Sequence, residues 1–493
     1  MNAVLHENPI SCYEVVYKDT KLLEVSGDTV VPDKMADIGI LCDTKAEALL
    51  QSKNVQHGSV VVQGELRVSV NYIPDGKSGM CGLTLNIPWS AEFQGDAIPQ
   101  NAFPVVDIQI DRVETRMLNP RKILFKGKLL VSLRVFDKQE HRLCDGIEGN
   151  GIIQGCVEEG EYSIISTVCE RTFAATDEYP VPPALVGGEI IGKSVRFRVD
   201  DIKTLTNKLI IKGTAESEVL LASENSEVEQ VYFASGFSFI AETECERVSD
   251  EVAVSIVPTA MYYELNGAGN MLSVEIHGVC QMVVYEKMKI SYISDVYSNF
   301  YPCDCTYAEM TALENRKVTT RREKTSGTIN CRSHVAKVCC TSVNHHLEQR
   351  IDHGTVRFTV SLCVKYEGGQ YDWLTSTSEY ELACASDEVL NVSLWDVRTT
   401  VLGNEVEYQI TFDCEVLAET VSNICTITEV HFDELAPIAQ NRPSLIAVHT
   451  GGRLWDLAKQ YGSTVEQIKT YNQIESDAVS QGTFLLIPRQ RLH

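Results

Sequence analysis

The stretch Gly64-Glu65-Leu66-Arg67-Val68-Ser69-Val70-Asn71-Tyr72 places an apolar side chain at every second position after a glycine. A period of two belongs to a strand with one buried face. The pattern returns from Gly213, with Ala215, Val219 and Leu221 and with Ser217 filling the gap. It returns again from Gly354, with Val356, Phe358, Val360, Leu362 and Val364. The steps between these glycines are too long for a solenoid repeat and right for whole domains in tandem.

Each such strand runs into turn chemistry at Pro74-Asp75-Gly76, Ser223-Glu224-Asn225 or Glu367-Gly368-Gly369, then into a partner ending near Trp89, Phe239 or Tyr380. That predicts a hairpin each time. A second hairpin follows, turning at Asn119-Pro120, Gly267-Ala268-Gly269 or Gly403-Asn404, and its last strand alternates again, as in Ile123, Phe125, Leu129, Val131 and Leu133. Gly127 and Gly278 interrupt the first two copies at the same step, which predicts a bulge or a close strand approach there.

The fold class that follows is mainly β, with three tandem antiparallel, sandwich-like domains at 1–176, 177–302 and 303–436. A small βααβ module follows at 444–489. The stretch 177–183, rich in proline, reads as a stiff linker, and 433–443 reads as another.

The 493 residues carry 43 Lys+Arg against 68 Asp+Glu, a formal charge of −25, which disfavours nucleic acid. From 444 onward the two signs nearly balance. The first residues lack a basic start followed by an apolar stretch, so no secretory signal and no membrane span are expected. Most of the seventeen cysteines, such as Cys280, Cys363 and Cys414, sit in apolar strand patterns and read as small buried hydrophobes in a reducing compartment.

Three motifs are discounted. Gly187-Gly188-Glu189-Ile190-Ile191-Gly192-Lys193-Ser194 satisfies the phosphate-loop pattern but leads into an alternating strand, not the helix that phosphate binding needs. Cys303, Cys305, Cys331, His334, Cys339 and Cys340 lack the C-x-x-C spacing of a zinc turn. His345-His346 lacks the H-E-x-x-H arrangement. No nucleophile elbow and no dinucleotide fingerprint appear, so no enzyme, cofactor or metal is expected.

In the tail, Leu445, Ile446 and Val448 begin a strand, and Leu454, Leu457, Ala458 and Tyr461 follow at helical spacing until Gly462. Thr464-Val465-Glu466-Gln467 has the form of a capping box opening a second helix, and Thr483 to Pro488 is an apolar strand stopped by proline. Over its whole length this pattern resembles a LysM module. The resemblance implies binding of N-acetylglucosamine glycans such as peptidoglycan, in a groove here made by Gly451, Gly452, Asn472, Gln473 and Ile474. The family's usual Gly-Asp-Thr-Leu loop, however, reads Gly451-Gly452-Arg453-Leu454. Two polar groups are lost and a cation gained, which turns the expectation toward a protein ligand.

The β units resemble the SPOCS domain of spore proteins, in the opening Val60-Val61-Val62-Gln63-Gly64-Glu65-Leu66-Arg67-Val68 and in Asn119-Pro120-Arg121-Lys122-Ile123. Repeated SPOCS units with a C-terminal LysM resemble the spore coat morphogenetic proteins. The resemblance implies a non-enzymatic coat scaffold made in the mother-cell cytoplasm. Its LysM would bind the coat's basement-layer morphogenetic ATPase and help hold the coat on the forespore surface. Trp455 is the expected anchor, since it lies beside the core-facing set, and the alternative reading is that it covers the module's own core; Ile446, Arg453 and Leu454 adjoin it. Unpaired strand edges add an expectation of self-association.

Overall fold

The computed structural model describes residues 4–76, 79–148, 153–223, 227–244, 251–349, 354–382, 389–433 and 444–489. Most of the turn at Ser223-Glu224-Asn225 and of the linker at 433–443 lies outside them.

The architecture is a six-strand design used three times. The first unit comprises β1 (Val4–Val30), β2 (Ile38–Gln56), β3 (Ser59–Pro74), β4 (Cys81–Gln94), β5 (Phe103–Asn119) and β6 (Lys122–Glu148). The second comprises β7 (Ile153–Pro180), β8 (Glu189–Leu205), β9 (Lys208–Ala222), β10 (Val228–Glu242), β11 (Glu251–Leu265) and β12 (Met271–Ser298). The third comprises β13 (Cys303–Asn330), β14 (Val335–Gln349), β15 (Gly354–Tyr366), β16 (Tyr371–Glu381), β17 (Val389–Leu402) and β18 (Glu405–Phe432). The tail comprises β19 (Leu445–Arg453), α1 (Leu454–Tyr461), α2 (Val465–Asn472) and β20 (Ala478–Pro488). Among the described residues no helix is long and apolar enough to cross a membrane.

In each unit a three-stranded antiparallel meander, such as β2-β3-β4, packs on a ribbon whose middle strand is the last of the unit, such as β1-β6-β5. The alternation predicts which side chains meet. Leu66, Val68 and Tyr72 of β3 and Ile123, Phe125, Leu129 and Leu133 of β6 are fully buried in one core. The second and third units repeat this with Leu209, Ile211 and Leu221 against Leu272, Val274 and Ile276, and with Phe358 and Leu362 against Ile410 and Phe412.

Some sequence expectations take a different form. Residues 177–180 are the end of β7, paired with β12 from Asp177↔Val274 to Pro180↔Met271, and only a short 3-10 turn at Pro183–Leu185 precedes β8. β7 therefore runs across position 176 and pairs along its length with the second unit's β12. Alternation is hard to read in it because polar side chains occupy both faces, as in Glu158-Glu159 and Glu170-Arg171. Gly64 and Gly213 lie inside their strands, whereas Gly354 opens β15. At Gly127 and Gly278 the bulge sits in the neighbouring strand, between Ile110 and Arg112 and between Pro258 and Ala260. The phosphate-loop lookalike passes straight into β8, with Lys193 lying over the Tyr263 ring.

The outer strands outlast their sandwiches. The first half of β1 with the second half of β6, and the matching parts of β7–β12 and β13–β18, leave their meanders and converge, touching at Tyr13↔Ile165 and Leu313↔Ser163. Their shared core takes Ile10, Cys12 and Leu143 from the first ribbon, Tyr162, Ile164 and Ile290 from the second, and Met310, Ala312 and Ile424 from the third. The meanders meet at a second junction that includes Met80, Ile191, Leu220, Cys340 and Cys363.

Candidate functional site: the C-terminal head and its seat

The tail folds locally as its periodicity predicts. Leu454, Leu457, Ala458 and Ile468 turn inward onto Leu485 and Ile487 of β20. Gly462, at φ 74°, ends α1 in the left-handed region and donates its amide to the Ala458 carbonyl. Thr464 caps α2 by accepting from the Gln467 amide at 3.2 Å. The reciprocal half of the capping box is missing: Gln467 Oε1 is buried without a hydrogen-bond partner.

The expected site residues separate into three groups. Leu454 is fully buried in the core of the head, and Ile446 is half-buried, paired with Ile487. Asn472 is spent on the head's own backbone, its amide donating to the carbonyls of Ile468 (2.8 Å) and Leu486 (2.7 Å) while its oxygen accepts from the Leu486 amide (2.7 Å). Ile474 is half-buried against the core, whereas Gly452 and Gln473 are exposed. Gly451 is held at a close approach, since a Cβ there would lie 2.5 Å from the Gln481 backbone. The Leu454 amide donates to the Asp477 carbonyl at 2.7 Å, tying the two groove loops together.

Trp455 and Arg453 meet the chain's own second unit. The Trp455 ring stands edge-on to Tyr297, with centroids 4.9 Å apart, and its Nε1 donates to Asp295 Oδ2 at 2.8 Å. Lys459 reaches the same carboxylate at 2.7 Å, and Arg453 reaches Glu158 at 2.6 Å. From β12 the Tyr297 hydroxyl, and from just beyond it the Asn299 amide, both donate to the Ser463 carbonyl at 2.8 Å. Trp455 is thus a half-buried side chain closing an internal interface, with two head cations matched to two acids of the seat. The seat residues carry no motif, and nothing local in the sequence marks them.

Residues 450–488 match the LysM domain family. The head is a binding module of the kind that suggests peptidoglycan or a related carbohydrate as ligand. No curated protein and no solved structure matches the chain. Away from its seat the LysM head exposes apolar side chains, with Phe484 63% and Leu445 47% accessible on the β19–β20 ladder and Tyr471 58% accessible on α2.

Proposed function

We propose that this protein is a non-enzymatic scaffold of the spore coat whose LysM head binds a protein, the morphogenetic ATPase of the basement layer. It would act in the mother-cell cytoplasm, at the forespore surface. The observation that carries a protein ligand over a glycan is the commitment of Asn472: all three of its polar contacts go to backbone, so it offers nothing to a sugar, and the facing loop supplies only Gly451, Gly452 and Arg453. Sugar recognition depends on placed polar groups, whereas protein interfaces depend on aromatic and Arg anchors. Trp455 and Arg453 are such anchors, and on binding they would exchange Asp295 and Glu158 for the partner.

The test is binding of the full chain to purified coat ATPase. Trp455→Ala is expected to weaken it by about tenfold or more, in line with about 1–3 kcal/mol for an interface aromatic. Asp295→Asn, which loosens the seat, is expected to tighten it. Loss of binding in Phe484→Ala with none in Trp455→Ala would move the interface to the outward ladder. The second reading is an anchor on peptidoglycan, favoured by the family match itself. Co-sedimentation of the chain with purified peptidoglycan, combined with no ATPase binding, would establish it in place of the first.

A further inference from the structure

We propose that Cys12, Glu14 and His141 form a zinc site on the β1–β6 ribbon. Period two sets Cys12 and Glu14 on one face of β1, and the pairing Ile10↔His141 and Cys12↔Gln139 brings the imidazole to that face from β6. One ligand atom from each of the three lies within 4.8 Å of the others. A tetrahedral zinc, with about 2.3 Å to sulfur and about 2.0–2.2 Å to nitrogen and oxygen, needs its ligand atoms roughly 3.3–3.7 Å apart. Small side-chain rotations supply that.

The second observation is the way the imidazole faces the carboxylate. His141 Nε2 lies 3.0 Å from Glu14 Oε1, and both atoms are buried, yet neither has a hydrogen-bond partner. An ordinary ion pair would aim the ring N–H at the oxygen. Here the two atoms lie side by side without a hydrogen bond between them, and a cation held by both would satisfy both.

The donor set selects the metal. A thiolate and an imidazole beside one carboxylate suit zinc, and calcium and magnesium, which take oxygen ligands, are disfavoured. On binding, the S–H bond breaks, an S–Zn bond forms and the proton passes to solvent. Cys12 is 2% exposed, within the core that the three ribbons share, while Glu14 and His141 lie on the same face with side chains 29% and 19% exposed. Water can therefore take the fourth position, and the ion would pin the first ribbon at the junction. The site is independent of what the LysM head binds.

The test uses the full chain, stripped with chelator and titrated with Zn²⁺, then with Co²⁺ as an optical probe. Wild type should hold one more equivalent of zinc than Cys12→Ser, Glu14→Gln or His141→Gln. Its cobalt form should show thiolate-to-metal charge transfer that Cys12→Ser loses, and zinc should raise the melting temperature of wild type more than that of any variant. Should Cys12→Ser fail to fold, the more exposed His141→Gln and Glu14→Gln decide the matter by zinc stoichiometry and melting shift. Variants that melt like wild type in chelator yet bind as many equivalents would overturn the site, as would a wild type that binds none.

Discussion

A Cβ built on Gly64 would fall 2.2 Å from the Leu49 carbonyl oxygen and 2.3 Å from the Trp89 ring, and one on Gly213 would fall 2.3 Å from the Phe237 ring. In each case the aromatic is the glycine's register partner and lies over its bare backbone. Alanine there forces the ring or a strand to shift, so Gly64→Ala and Gly213→Ala are each expected to cost about 1–3 kcal/mol, read from urea unfolding of the full chain. The glycine was legible as the start of an alternation, but its place inside the strand and the ring above it were not, because cross-strand register is decided by the turn and the core together. Glu47 makes a second residue-scale prediction. Burial raises its carboxyl to about 7, against partial compensation from the Val195 amide, Lys45 and Arg196. The folded chain thus holds this proton more tightly than the unfolded chain does. The stability it contributes is complete below the unfolded value near 4.5 and is lost as pH rises through about 7. Glu47→Gln should flatten that decline, which is worth up to about 3 kcal/mol across the window and is measurable as unfolding free energy at pH 5 and pH 8.

At the scale of elements, the LysM head and its seat show where sequence reading stops. The helices of the head declare themselves through local spacing, with Leu454, Leu457 and Ala458 buried as the 3.6 period requires. Their seat on β12 does not. Asp295, Tyr297 and Asn299 belong to a strand end far away in sequence, so no local periodicity reports the contact, and Trp455 reads from sequence as an exposed anchor when it has a partner in its own chain. The long strands β7 and β13 were obscured for a related reason, since much of their length is exposed and polar and leaves no alternation to read. The seat is also where a small change should act at a distance. Asp295 accepts from both Trp455 and Lys459, and its removal leaves the indole N–H without its partner. Asp295→Ala should weaken head-to-body docking by about 1–2 kcal/mol, given that the ion pair is partly exposed. Hydrogen exchange should then quicken across α1 and β12 near Tyr297, while the core of the third unit keeps its protection.

On the scale of the whole molecule, the three sandwiches are joined by a core that none of them owns, with three side chains contributed by each ribbon. Tandem domains on linkers would melt separately, whereas units that bury residues such as Ile10, Tyr162, Ile290, Met310 and Ile424 against one another must lose that burial together. Truncating Ile10 or Ile424 to alanine should cost about 2–4 kcal/mol each, as deletions in closed cores do. The two sites sit in the first and third units and share the same cluster, so the double variant should depart from additivity by about 0.5 kcal/mol or more. The decisive readout is where the damage appears. In Ile424→Ala, amides of β1 near Ile10 should exchange faster although the altered residue lies in β18, and calorimetry should show the β body shifting as one transition. Protection of β1 left at its wild-type level, with only the third unit melting earlier, would mean that the ribbons touch without sharing stability. The fixed seat of the LysM head would then rest on the second unit alone.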